Sequence, residues 1–402
     1  MGNGAIKATE DIAEAERASV FGGEPPSLEA IAKIIREGRA KNIVVLCGAG
    51  ASVSAGIPDF RTPGTGLYDN LQKYDLPDGK PESVFDLEFF REKPAPFYAL
   101  AKELYPGAHA PTLTHRFLRL LHEKGVLRRV YTQNIDGLDY LAGLPADVVV
   151  QCHGGFDRAH CIECGADADA TKVRDAIFAG CAQDPTKMPR CEREGCAGLC
   201  KPRITFFGEK LGPRFSECRE LDFYREEDGR PAEMIEQHAE SKKRVSHLST
   251  AVAFGLGDAE ELAAEKAKCE AAEAERRARL KVSCACDLLL VFGTSLRVQP
   301  VAGLPDDVHW LVPRVLVNRE AVHVFGEPFE GIRAGDNGFR FTERGFEDNY
   351  RDVLCEMDCD AGAQSLADMI GWEIPPPFVR TDAPSSTEHR PASPTSCNAA
   401  SP

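Results

Sequence analysis

The sequence predicts an α/β fold, a doubly wound parallel sheet with a smaller cysteine-rich module and a helical insertion. Three observations predict it. Short apolar runs alternate with helical stretches, polar or glycine-rich residues follow those runs directly, and two closely spaced cysteine pairs stand between two of them. At 402 residues the chain is long enough for one or two domains with extensions.

Residues 1–26 read as a flexible N-terminus. Met1-Gly2 suggests a myristoylation start, but Ile6 stands where Ser or Thr is wanted, and no apolar signal core follows. In "SLEAIAKIIREG", Ser27 is placed to cap a helix whose apolar residues recur at three-and-four spacing up to Gly38. That helix feeds the strand "IVVLC". Further strands are read in "VLRRVYTQN", "ADVVVQCHG", "RITFFG", "CDLLLVFGTS" and "RVLVNRE", with helices such as "THRFLRLLHEKG" between them. Ligands collect at the carboxyl ends of such strands. Here those ends carry Gln133, Asn134 and Asp136, then His153, then Thr294 and Ser295, then Asn318 and Glu320, which suggests one shared site.

Residues 224–283 break the alternation. They include "DAEELAAEKAKCEAAEAERRARLK", which has no wide apolar stripe and reads as a charged, solvated helical insertion. Residues 376–402 are rich in Pro and Ser and read as a disordered tail.

Composition excludes some classes. The 48 Lys and Arg against 63 Asp and Glu give a formal charge of −15, which argues against a general nucleic-acid backbone binder. No window approaches about 20 uninterrupted apolar residues, so neither a membrane span nor a membrane partner is expected. In the soluble intracellular chain this implies, fifteen cysteines are expected to be thiols or metal ligands rather than disulfides.

The turn after the first strand, "VVLCGAGASVSAGIPDFR", is the first chemical clue. A dinucleotide fingerprint wants a third glycine at position 53, but Val53 is there and the next glycine is Gly56. Asp69, about twenty residues on, lies in text with no strand pattern, so a standard hydride-transfer enzyme is disfavoured. Gly48 and Gly50 still permit a close approach to a pyrophosphate, and Ser52 adds a hydroxyl. Asp59 and Arg61 bracket Phe60 after Pro58, forming a loop able to close over a ligand.

Cys161 and Cys164 form C-x2-C, and Cys191 and Cys196 form C-x4-C. Two such pairs suit tetrahedral thiolate coordination of one zinc, with no open position for water, so the metal is expected to be structural. Cys200 is a rival ligand at C-x3-C from Cys196, but Cys191 and Cys196 are preferred. His153, at a strand end, has the side chain suited to base catalysis near neutral pH.

Taken together, "GAGASVSAGIPDFR", "YTQNIDGLD", "HGGF", "FFGE" and "GTSLRVQP" resemble the sirtuins, the NAD-consuming protein deacylases. The resemblance covers about Ser27 to Trp372 apart from the insertion. "GTGLYDNLQKYDLP" and "FYALAKELYPG" look closest to the eukaryotic cytoplasmic and nuclear deacetylase branch, called class I. The Tyr and Arg by which other branches grip acidic acyl groups are not found.

The resemblance implies a Rossmann-like catalytic core over 27–223 and 284–375, with the zinc ribbon at about 154–205. It implies NAD as a consumed co-substrate, acetylated proteins as partners, histones or tubulin-like cytoplasmic proteins among them, and a cytoplasmic or nuclear location. The acetyl group would pass from lysine to ADP-ribose with loss of nicotinamide, His153 acting as base on the ribose hydroxyls and Asn134 orienting ribose or water. By the same resemblance the NAD contacts are Ala49, Gly50, Ala51, Ser52, Val53, Asp59, Phe60, Arg61, Gln133, Asn134, Ile135, Asp136, Thr294, Ser295, Asn318, Arg319, Glu320 and Cys359. Phe60 would screen the reactive face, Asp136 would accept from the carboxamide, and Cys359 would meet adenine through its backbone. The acyl-lysine would lie against Thr205, Phe206, Phe207, Gly208, Glu209 and Val298. Gly155 replaces the usual Ser or Thr after "HG", and Thr205 replaces the usual Val. Two rivals stand beside this reading, an NAD-dependent mono-ADP-ribosyltransferase and a non-catalytic NAD-binding scaffold.

Overall fold

A computed structural model describes residues 14–57, 76–77, 81–223, 286–327 and 338–377. The insertion at 224–283 and the loop with Asp59, Phe60 and Arg61 lie outside the described residues, as does nearly all of the 376–402 tail.

The chain opens with helices α1 (Glu14–Phe21) and α2 (Leu28–Arg36). Ser27 caps α2 as expected, its hydroxyl accepting from the Ala30 N–H at 3.1 Å. Strand β1 (Ile43–Cys47) follows and runs into a 3-10 turn, Ala49–Ala55. Helices α3 (Leu87–Glu92), α4 (Ala95–Leu104) and α5 (Leu113–Glu123) precede β2 (Leu127–Thr132), α6 (Leu138–Leu141) and β3 (Val149–Gln151). A small module then holds β4 (Gly154–Cys161), β5 (Asp167–Ala168), α7 (Ala170–Phe178) and β6 (Cys200–Ile204). After α8 (Pro213–Phe223) the described chain resumes with β7 (Leu288–Phe292), α9 (Leu304–Asp307), β8 (Arg314–Asn318), β9 (Asp352–Glu356) and α10 (Cys359–Ile370).

The main sheet has six strands in the order β3-β2-β1-β7-β8-β9, all parallel. The order reverses between β1 and β7, which opens a crevice at their carboxyl ends. Every residue of β1 and β7 is buried, because both sheet faces are covered. Ile43, Val45 and Cys47 pack with α2, α5 and α10 on one face. Val44 and Leu46 pack on the other with Phe215, Cys218 and Leu304 of α8 and α9.

Two expectations are corrected. "RITFFG" does not join the main sheet: β6 pairs antiparallel with β4 in a separate three-stranded sheet, ordered β5-β4-β6. β9, read from "RDVLCEMDC", adds an edge strand beside β8 that the apolar runs did not disclose. Asp352 opens it and Glu356 closes it, so the run reads as mixed polarity. The polar start is buried because Asp352 receives two bonds from Arg314, at 2.7 and 2.6 Å.

Candidate active site

The glycine turn packs against the loop after β7. A Cβ on Gly50 would sit 2.6 Å from Gly293 Cα, and one on Gly48 would sit 2.6 Å from Thr294 Cβ. These glycines let two strand-end loops interlock at the switch point, so their first service is loop against loop. The Gly50 N–H donates to the Gly293 carbonyl at 2.8 Å. Leu296, buried in the second loop with φ 50, keeps that loop in a backbone conformation costly for a branched residue.

From this joint a polar chain runs across three strand ends. Ser52 Oγ donates to Asp136 Oδ2 at 2.7 Å, and Asn134 Nδ2 donates to the Gly48 carbonyl at 2.9 Å and to Ser52 Oγ at 3.2 Å. Gln133 Nε2 donates to Thr294 Oγ1 at 3.0 Å. Asp136 also accepts from the Leu138 N–H through Oδ1 at 2.9 Å, at the start of α6. Asn134 and Asp136 from the strand ends and Ser52 from the glycine turn are thus one hydrogen-bonded group, with the strand-end residues Gln133 and Thr294 as a second bonded pair. Ala51 is fully buried beneath it, while Val53 and Ile135 flank it.

His153 stands at the end of β3. Its Nδ1 lies 3.1 Å from the Gln133 carbonyl, which can only accept, so Nδ1 carries the proton. Nε2 then holds a lone pair, enclosed from solvent and with no hydrogen-bond partner among the described residues. Burial lowers the His153 pKa, opposed by the bond to Gln133, so the ring is neutral near pH 7. A neutral imidazole with an open Nε2 is the state a general base needs. Gly154 follows at φ 69, where a Cβ would meet the Arg203 carbonyl at 1.9 Å, so glycine is required where β4 meets β6. The missing side chain at Gly155 has a local reason: the Gln151 amide fills that space, 2.7 Å from where a Cβ would be.

The loop after β6 is tied to the same histidine, since the Thr205 N–H donates to the His153 carbonyl at 2.8 Å. Phe206 is buried, with ring contacts to Phe85, Phe90 and Phe97, while Phe207 is 49% exposed beside Gly208. Glu209 is occupied locally. Its Oε2 accepts from the Phe206 N–H at 2.7 Å and from Lys201 Nζ at 2.9 Å, and Oε1 lies 3.4 Å from His160 Nε2. Burial opposes its ionisation, but His160, Lys201 and the Phe206 N–H outweigh this and hold the carboxyl at about 2. Val298, half-buried in the loop after β7, accepts from the Ala302 N–H at 3.0 Å.

Toward the far edge, Asn318 Nδ2 donates to the Glu320 carbonyl at 2.9 Å, and Arg319 pairs with Asp358 at 2.6 Å. Cys359 begins α10 and is buried, which pushes its thiol up to about 12. Sequence reasoning missed Asp360, the next residue. It accepts from Ser54 Oγ at 2.6 Å, Thr114 Oγ1 at 2.6 Å and the Thr114 N–H at 2.8 Å, joining α10 and α5 to the glycine turn. Its signal was only its place beside Cys359.

In the small module the sulfurs of Cys161, Cys164, Cys191 and Cys196 all lie within 4.8 Å of one another. The Cys161–Cys196 and Cys164–Cys191 separations are 3.6 and 3.7 Å. Zn–S bonds of about 2.3 Å in a tetrahedron put sulfurs about 3.8 Å apart, so the four thiolates fit a structural zinc. Cys200 is not in this set. It is buried in β6, paired across from Cys161, and its carbonyl accepts from Tyr98 OH at 2.7 Å.

A parallel sheet with polar groups gathered at its switch point, a buried histidine base and a four-cysteine module define a class, that of nucleotide-binding α/β proteins with a metal ribbon. The Sir2 family description matches residues 48–227. The chain is 38% identical over 349 residues to NAD-dependent deacetylase sir2A of Dictyostelium discoideum, covering 87% of this chain and 52% of that protein. It is 36% identical to NAD-dependent protein deacetylase sirtuin-2 of Danio rerio, covering 86% of this chain and 73% of the relative. It is also 36% identical to NAD-dependent protein deacetylase hst2 of Schizosaccharomyces pombe, covering 86% and 76%. The chain belongs to the Sir2 family.

Proposed function

We propose that the protein is an NAD-dependent protein-lysine deacetylase with His153 as its general base. The observation that carries this reading is the His153 imidazole, locked with Nδ1–H on the Gln133 carbonyl and with Nε2 buried and unpartnered among the described residues at the strand ends. NAD supplies the ribose carbon that accepts the acyl oxygen and the nicotinamide that leaves. His153 Nε2 takes a ribose hydroxyl proton, and burial keeps it neutral for that task.

Asn134 and Ser52, fixed by Gly48 and Asp136, orient the ribose side of the cleft, with Asp136 accepting from the carboxamide. Ala49, Gly50, Ala51, Val53, Gln133, Ile135, Thr294 and Ser295 line the remainder, and Asn318, Arg319, Glu320 and the Cys359 backbone take the adenosine end. Thr205, Phe206, Phe207, Gly208 and Val298 receive the acyl-lysine strand. Glu209 acts through the loop it holds. Substrates are acetylated proteins of the cytoplasm or nucleus, with histones and tubulin-like proteins the classes to test first. The domain reading of a core over 27–223 and 284–375 accompanies this proposal.

The test is mass spectrometry of an acetylated peptide pool with and without NAD. Loss of acetyl groups with nicotinamide release only when NAD and peptide are both present is the expected result. His153→Ala should lower turnover by about a hundred- to ten-thousandfold. Peptides gaining ADP-ribose would favour the transferase reading, and an unchanged pool would favour a scaffold.

A further inference from the structure

Three more polar side chains are buried against the glycine turn and have no role in the chemistry above. Thr112, His115 and Asp139 expose 6%, 0% and 2% of their surface. Thr112 Oγ1 lies 2.9 Å from the Ala51 carbonyl and 2.7 Å from His115 Nδ1. The Thr112 N–H also points at Nδ1, at 3.4 Å, so Nδ1 accepts and the ring proton sits on Nε2. The single hydroxyl proton of Thr112 therefore serves two acceptors, the ring and the Ala51 carbonyl.

At the other end of the ring the pattern is incomplete. Among the described residues His115 Nε2 is buried with no hydrogen-bond partner, and so is Asp139 Oδ1. One lacks an acceptor and the other a donor. The two side chains also influence each other: burial pushes the Asp139 carboxyl up, while His115 draws it down and Thr132 supports it by a hydrogen bond. Asp136, in the polar chain at the strand ends, adds like charge nearby. Three buried polar groups contribute less to stability than apolar residues of the same shape would. Stability does not account for them, whereas position does, because they end on the peptide that precedes Ser52.

We propose that His115 and Thr112 form a buried pair of positioning residues that fixes the Ala51–Ser52 backbone, and with it the Ser52 hydroxyl, for NAD. This rests on the reading of the glycine turn as the NAD site. The pair acts through the turn and touches no reacting atom, so its signature is in NAD affinity rather than in peptide affinity.

The experiment is calorimetric titration of the full-length protein with NAD, alongside steady-state kinetics with an acetylated peptide. Thr112→Val should raise the NAD Kd about tenfold while the peptide KM stays within twofold, and Thr112→Ser, which keeps the hydroxyl, should bind within twofold of wild type. Apo melting curves check that each variant is folded. Wild type binding NAD with Thr112→Val binding equally well overturns the positioning pair and leaves the deacetylase reading intact. Thr112→Ser as weak as Thr112→Val also overturns it, because the effect is then one of packing. Wild type failing to bind NAD overturns both.

Discussion

The state of His153 is set by a carbonyl rather than a carboxylate. Its Nδ1–H rests on Gln133 O, and among the described residues Nε2 has no hydrogen-bond partner, so that one bond is what favours protonation there. Burial therefore dominates and lowers the pKa. The consequence for activity is an acid limb of kcat/KM displaced below the ordinary histidine value of about 6.5. A pH–rate profile checks this, and a limb above that value would contradict the burial argument. The same shift acts on stability. The unfolded chain binds the proton more readily than the folded one between the two pKa values, so folding stability contributed by His153 is present above the unfolded pKa and falls as pH drops through that window. A His153→Gln protein should show a shallower loss of melting temperature between pH 7 and 5 than wild type.

Elements gather these residues, and one element deserves the closest physical reading. The loop after β6 is held from beneath by Lys201, which is fully buried. Its Nζ donates to the Ile204 carbonyl at 2.6 Å and to Glu209 Oε2 at 2.9 Å, and stands 4.0 Å from the Phe206 ring centroid. Glu209→Gln keeps the shape but removes the charge opposite that lysine, so the substrate loop should loosen. The expected result is a severalfold rise in peptide KM with NAD affinity unchanged, read from steady-state kinetics. Chelation of zinc is a different perturbation of the same module. Because four thiolates close the coordination sphere, stripping the metal should unfold the β4–β6 module and abolish activity, with lost near-UV circular dichroism as the readout. Much of this was legible in the sequence. The cysteine spacing and Ser27 as a cap found their places because each is local. What was not legible is long-range pairing. "RITFFG" has the apolar text of a core strand, and only its partner β4 assigns it to the small sheet. β9 has a polar start, Asp352, whose burial depends on Arg314, 38 positions away. The pairing of the Glu209 carboxylate with Lys201, eight residues before it, is likewise not written in the local text.

At the scale of the whole molecule, the charged insertion leaves and rejoins the core at one point. Asp222, at the end of α8, is fully enclosed and accepts from Arg128 Nε at 2.9 Å, Arg129 Nε at 2.8 Å and Tyr131 OH at 2.7 Å. Phe223 stacks on Tyr131 with ring centroids 5.8 Å apart. The chain returns at Cys286, whose N–H donates to the Asp222 carbonyl at 2.6 Å, and Asp287 then receives the backbone N–H groups of Lys41 and Asn42 just before β1. Exit and return are thus hydrogen-bonded to each other, the exit anchored to β2 by the buried Asp222 and the return to the approach to β1 by the half-buried Asp287. Loop-closure cost grows slowly with length, so the core gains little from the number of residues between these anchors. Replacing residues 225–284 by a short Gly-Ser link should therefore leave the melting temperature within a few degrees and the NAD-dependent turnover within about twofold. Asp222→Ala in the full-length chain should instead cost about 3–5 kcal/mol, since it strands two arginines at a buried site. Denaturant unfolding of both proteins decides between them. If the shortened chain unfolds while Asp222→Ala holds, the stability of the junction comes from the insertion and not from the Asp222 anchor.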